Sequence, residues 1–206
     1  MKPEKANTLL RGLRPLLPGV VLSALSSMGL LLGLEGLLFD LLGLAWLILL
    51  LAGLKVLSPL EQEYRKAAAF VLTAVVFSAV LAAGTAALAL LDLTSQDGTE
   101  AVVLAVSGVA DVCIKCLVAV LECFAVTWTC RATGRILEQQ DSTIAALSGQ
   151  AGVLYCVFTL AGTAAVLLSH LPALGGGVRQ AGGIAMVLGC FILAAFFSKA
   201  RRSLES

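Results

Sequence analysis

The chain has 206 residues, 59% of them hydrophobic and 13% charged, with a mean hydropathy of +0.99. A soluble domain carries about 25% charged residues because its wetted surface needs them. The balance of 14 basic against 13 acidic residues, net +1, is also not that of a basic nucleic-acid binder. Composition therefore excludes a free soluble globule, a nucleic-acid partner and a disordered chain, and leaves a polytopic membrane protein.

The N-terminal stretch, residues 1–15, carries Lys2, Lys5, Arg11 and Arg14. The apolar run behind it is longer than that of a signal peptide and has no small-residue cleavage site at its end. It is expected to remain as a span, with 8–14 lying along the inner membrane interface before Pro15 and Pro18. A bilayer-crossing helix needs roughly 17–25 mostly apolar residues. Six stretches qualify: 16–34, 41–57, 67–91, 101–128, 144–169 and 178–198. A tight turn holding Glu35, Gly36 and Asp40 joins the first two as a helical hairpin, with one long bent element as the alternative. The longest inner connection covers 129–143, and 199–206 form a short tail. The fold class is all-α: a single integral membrane domain over 1–206, without an extramembrane domain.

Charge placement gives the orientation. Basic residues concentrate on the cytoplasmic side of membrane proteins. With six spans and both termini cytoplasmic, twelve of the fourteen bases fall on inner segments, including Lys55, Arg65, Lys66, Arg131, Arg135, Lys199, Arg201 and Arg202. The outer turns hold Glu35, Asp40, Asp92, Asp97 and Glu100 with a single base, Arg179. The expected location is the cell membrane. Three spans followed by three also admit an inverted repeat, but the halves show no sequence match.

Lipid tails are as apolar as leucine, so spans associate through small residues that permit close approach. Gly19, Ser23, Ser26, Ser27 and the Gly29–Gly33 pair on the first span read as such a seam. So do Ser148, Gly152, Tyr155, Thr159 and Gly162 on the fifth, and Gly182, Gly183 and Gly189 on the sixth. A polar substrate path along Tyr155, Thr159 and Thr163 is the sharper reading of the fifth span.

The fourth span is the unusual one. It carries Asp111, Lys115 and Glu122 at hydrocarbon depth. At about 100° per residue these lie within roughly 40° of one another, with Ser107 about 40° to the other side. Each such charge costs roughly 2.5–3.5 kcal/mol at a span centre, so the three must be paired, protonated or wet. Asp111 and Lys115 are four residues apart with the acid first, the better order for a helical ion pair. Glu122 has no base within a turn. One reading makes these residues glue that holds the helix in the bundle centre. The other makes them a polar cavity in which Glu122 exchanges a proton or cation and the pair shapes a substrate site.

Enzyme and cofactor signals are missing. Cys116, Cys123 and Cys130 recur every seven residues and read as buried packing. Cys113 and Cys116 have redox-motif spacing but fall mid-span. The lone His170 cannot complete a zinc set. Ala105-Val106-Ser107-Gly108 lacks the first glycine of the Gly-x-Ser-Gly motif of six-span intramembrane proteases, and the sixth span has no histidine. No catalytic residue, metal or cofactor is expected. The expectation is a small transport or solute-binding component that takes a small molecule or an ion and works alone, as a homo-oligomer or with a partner membrane subunit. The candidate site is Asp111, Lys115, Glu122, Ser107, Tyr155 and Thr159. The alternative is a non-transporting scaffold, sensor or docking module.

Overall fold

The computed structural model describes residues 3–32, 37–92, 100–138, 141–169 and 175–205, and excludes the side chains of 88–92, 100–109 and 175–176. Among the described residues seven α-helices follow in order: α1 (Pro3–Leu13), α2 (Leu16–Leu31), α3 (Leu37–Leu57), α4 (Gln62–Asp92), α5 (Glu100–Leu137), α6 (Ser142–Leu168) and α7 (Gly175–Glu205). Six stretches are long and apolar enough to cross a bilayer, the first reading through α1 and α2 together. The chain is thus an all-α, multi-pass membrane bundle. Glu35, Asp97 and His170 lie outside the described residues.

Each spanning helix packs on the next in sequence, and α7 returns to pack on α2. The six spans form a closed ring. A ring gives every helix an inner face shielded from lipid, and this is where a membrane protein can put polar side chains. The α2–α3 hairpin is two separate helices in contact, not one bent element.

The two ends of the ring differ. At the end that carries both termini the interior is solid: Leu16, Leu50, Leu54, Leu57, Phe197 and Ala200 are fully buried. Helix α1 completes this end by packing on α3 and α7. Its Leu9 and Leu13 are fully buried, while Lys5, Arg11 and Arg14 stay exposed. The expected interfacial segment is therefore part of the core. The reason is Gly53: a Cβ there would fall 2.6 Å from the Gly12 carbonyl oxygen, so only glycine lets the backbone of α1 settle on α3. Polar ties secure the same end, with the Tyr64 and Thr133 hydroxyls hydrogen-bonded at 2.8 Å and Arg135 2.6 Å from Glu63 and 3.6 Å from Glu61.

Several helices exceed their expected lengths. Helix α5 runs to Leu137 rather than ending near 128, which shortens the expected 129–143 connection to a few residues. Thr129, Cys130, Thr133 and Leu137 are buried, and Arg131 and Arg135 project from the exposed face of the same turns. Hydropathy alone stops at such arginines; the amphipathic pattern does not. Asp141 then caps α6, accepting from the Thr143 hydroxyl and, at 2.9 Å, from the Thr143 amide. These bonds, the hydroxyl first, hold its carboxyl below the ordinary carboxylate range. The expected tail is likewise helical, α7 continuing to Glu205.

Ring closure depends on close backbone approach. A Cβ on Gly183 would lie 2.7 Å from the Leu31 amide nitrogen and 3.0 Å from its Cα, and backbone cannot step aside. Between α6 and α7, a Cβ on Gly162 or on Gly182 would fall 2.8 Å from the other's carbonyl oxygen. Around Gly84 there is nothing within 4 Å. Gly183→Leu is expected to destabilise the bundle by about 1–3 kcal/mol, the usual cost of overpacking, while Gly84→Ala leaves stability unchanged or raises it. Thermal unfolding of the two variants in detergent checks the contrast.

Candidate functional site

A cavity of about 270 Å³ lies inside the ring, walled by all six spanning helices. This is close to the roughly 300–1,000 Å³ of small-molecule sites. The polar stripe of α5 faces it: Asp111, Lys115 and Glu122 all line the cavity, as do Tyr155 and Thr159 of α6. Ser107 lies on α5, but its side chain is outside the described residues. Five of the six candidate residues thus share one chamber.

Glu122 sits at the deep end. Its Oε1 accepts from Trp46 Nε1 of α3 at 2.5 Å and from the Tyr155 hydroxyl of α6. Donors from two different helices thus hold this oxygen in place. Among the described residues no group bonds Oε2. That oxygen is also absent from the sealed, unbonded atoms, so it opens onto the cavity that Glu122 lines. The carboxyl therefore has one oxygen fixed by the protein and one presented to whatever occupies the chamber.

Lys115 lies seven residues before Glu122, about 10 Å along the helix axis. Its Nζ is 3.0 Å from Asp111 and 3.7 Å from Asp40, which reaches across the ring from the first turn of α3. The helix-internal pair is therefore a triad with a net negative charge. Lys115 keeps 47% side-chain exposure and Asp111 32%, against 17% for Asp40. Lys115 thus reaches across the ring at the more exposed level of the chamber. Below Glu122 the solid core closes it. Among the described residues the more exposed end of the chamber is the one away from the termini.

The remaining polar wall is made of hydroxyls, three of which have committed their protons. Ser26 donates to the Phe39 carbonyl and Ser27 to the Ser23 carbonyl, both at 2.9 Å. Thr163 donates to the Thr159 carbonyl at 2.9 Å. With their protons committed to backbone, these hydroxyls keep only lone pairs for a guest. Apolar surface from Leu44, Leu47, Val118 and Met186 fills in between.

Asp40, Trp46 and the α2 serines are absent from the sequence-derived site. Asp40 was assigned to an outer turn; because α3 begins at Leu37, it falls inside the helix and faces the chamber. Trp46 carried a usable signal, since an indole N–H in mid-span needs an acceptor. The serines of α2 read as packing residues, and three of them line the cavity. Gly29 of that seam does pack closely, against Phe39. Of the cysteines, Cys123, Cys130 and Cys190 are buried, Cys116 reaches the cavity wall, and all six are free. Among the described residues no group of three potential ligands is placed to hold a metal ion.

Comparison with known protein families, curated proteins and solved structures finds no match to this chain.

Lys115 balances two carboxylates, so Lys115→Met strands both. Lys115 and Asp111 are partly exposed, which screens the repulsion; a loss of about 1 kcal/mol is expected by thermal unfolding in detergent. Adding Asp40→Asn and Asp111→Asn removes the stranded charges and is expected to recover the loss. A variant set in which the triple substitution unfolds more readily than Lys115→Met would contradict this account.

Proposed function

We propose that this chain is a transport or solute-binding component of the cell membrane, with the ring cavity as its solute site and Glu122 as the ionisable group that engages the solute. The observation that carries the reading is the chamber itself. Among the described residues it is closed toward the termini by the buried core, and at its floor stands a carboxyl with one oxygen that no described group bonds. Intramembrane ionisable residues that face a water-filled cavity mark substrate or ion pathways. The docking-module alternative has less support, because the charges of α5 point into the ring rather than toward lipid or a partner. One ring supplies every wall of the chamber, so a homo-oligomer or partner subunit would add to a site already complete. The reading assigns no chemical reaction to the chain.

The test is access and protection. In a cysteine-free background, Ser26→Cys and Thr163→Cys place thiols on the cavity wall, and Val157→Cys places one on an exposed apolar position of α6. A membrane-impermeant methanethiosulfonate added to sealed vesicles is expected to label the two cavity thiols from the face opposite the termini, and Val157→Cys far more slowly. A melting screen of amines, carboxylates, sugars and inorganic ions then seeks a solute that stabilises the protein and slows that labelling. Glu122→Gln is expected to lose the stabilisation while melting within a few degrees of the parent. Cavity thiols that never react, or that no solute protects, overturn the reading.

A further inference from the structure

The charges and hydrogen bonds around the cavity specify what kind of solute it takes. Among the described lining residues there are three carboxyls, Asp40, Asp111 and Glu122, and one amine, Lys115. Lys115 is already engaged by the two aspartates at the mouth. Among the described residues Glu122 therefore has no positive partner within reach, and no described group bonds its Oε2. The hydroxyls of Ser26, Ser27 and Thr163 present lone pairs rather than protons. A wall with more carboxyls than amines repels anions and draws cations. Trp46 and Tyr155 hold the same carboxyl, and Phe39, Leu44, Leu47 and Met186 add apolar surface elsewhere on the cavity wall. A small inorganic cation is strongly hydrated, and among the described residues no three carboxyl, thiol or imidazole groups are gathered to replace its shell. A weakly hydrated organic cation finds both a counter-charge and apolar and π surface.

We propose that the cavity binds an organic monocation bearing an aromatic or aliphatic group, and that the cation and a proton compete for Glu122. This rests on the solute-site reading above and names its substrate class. A carboxylate at this depth needs a positive partner, which is a proton when the chamber is empty and the cation when it is full. Cation entry forms the carboxylate–cation pair, breaks the Oε2–H bond and delivers that proton to water at the more exposed end, one for one. Trp46 and Tyr155 hold Oε1 in either state, so they position the carboxyl while Oε2 does the exchange.

The groups that share this field are few. Tyr155 and Cys156 belong to α6, Cys190 to α7, Cys116 and Cys123 to α5 itself and Asp40 to α3, with Asp111 and Lys115 nearer the mouth. From α2 and α4 the cavity meets hydroxyls, those of Ser23, Ser26, Ser27 and Ser78. Of all these, Glu122 alone is a carboxyl without a protein cation beside it.

The experiment uses the purified full chain in detergent and the probe benzyltrimethylammonium, a permanent cation that cannot itself titrate. Its neutral isostere neopentylbenzene and the anion benzenesulfonate serve as comparators. Calorimetry between pH 5 and 9, in buffers of different ionisation enthalpy, reads affinity and proton release together. Binding of the cation is expected at least tenfold tighter than of either comparator. Affinity is expected to rise with pH and one proton to leave per cation over the range where Glu122 is protonated. Glu122→Gln is expected to weaken binding at least tenfold and abolish proton release. Glu122→Asp, which keeps the charge, is expected to retain cation selectivity and proton release if it folds, so that loss of both in a folded Glu122→Asp counts against the assignment. Trp46→Phe is expected to shift the pH profile without removing selectivity for the cation. Equal or tighter binding of benzenesulfonate, or cation binding without pH dependence and proton release, overturns the proposal. If the cation fails to bind while another solute protects the cavity thiols, the substrate class falls and the solute site stands. If the cavity thiols never react, both fall.

Discussion

A charge in hydrocarbon must find a partner, and the closed ring of six helices is the arrangement that lets this chain keep several. On an open row of helices the stripe of α5 would meet lipid on one flank, at roughly 2.5–3.5 kcal/mol per charge near the bilayer centre. Bringing α7 back against α2 encloses that stripe and sets Asp40 opposite Lys115 and Trp46 beside Glu122. The glycines at the crossings make this possible. Gly183 lets α7 touch the backbone of α2, and Gly162 and Gly182 do the same for α6 and α7. Close packing of small residues and burial of polar ones are therefore a single design problem with a single answer.

The ring is asymmetric along its axis, and this asymmetry turns a packing solution into a site. At the terminal end large aliphatic side chains, the α1 helix and the Tyr64–Thr133 and Arg135–Glu63 ties fill the interior. At the other end serines, threonines and glycines leave space. The same chain thus spends its bulky residues at one end of the ring and its small polar ones at the other. Glu122 stands at the boundary between them. A carboxyl one turn further toward the termini would be sealed in packed leucines, and one turn nearer the mouth would join the triad around Lys115.

Much of this was legible in the residues before any coordinates. The six spans follow from stretches of apolar sequence long enough to cross a bilayer, and the stripe of α5 follows from 3.6-residue periodicity applied to three charges. Periodicity says which residues share a face of one helix; it does not say which other helix that face meets. Asp40 and Trp46 were invisible for that reason, since their roles depend on α3 standing across the ring from α5. The ends of α5 and α7 were missed for a second reason. Arg131, Arg135 and Lys199 lower the local hydropathy, yet each is exposed in turns whose other residues are buried. The docking of α1 depends on Gly12 and Gly53 meeting, a contact between segments forty residues apart that no local pattern announces.

The position of Lys115 settles how the acidic chamber stays folded without a bound solute. Three carboxyls in one small space would repel one another, and the like charges would oppose ring closure. The amine between Asp40 and Asp111 cancels the mouth's repulsion using a group on α5 itself, so the ring closes whether or not the chamber is filled. It leaves Glu122, about 10 Å deeper, as the carboxyl whose charge the protein does not balance. In the proposed reading folding is thereby separated from ligand binding: the mouth triad stabilises the ring, and the deep carboxyl is left for the solute.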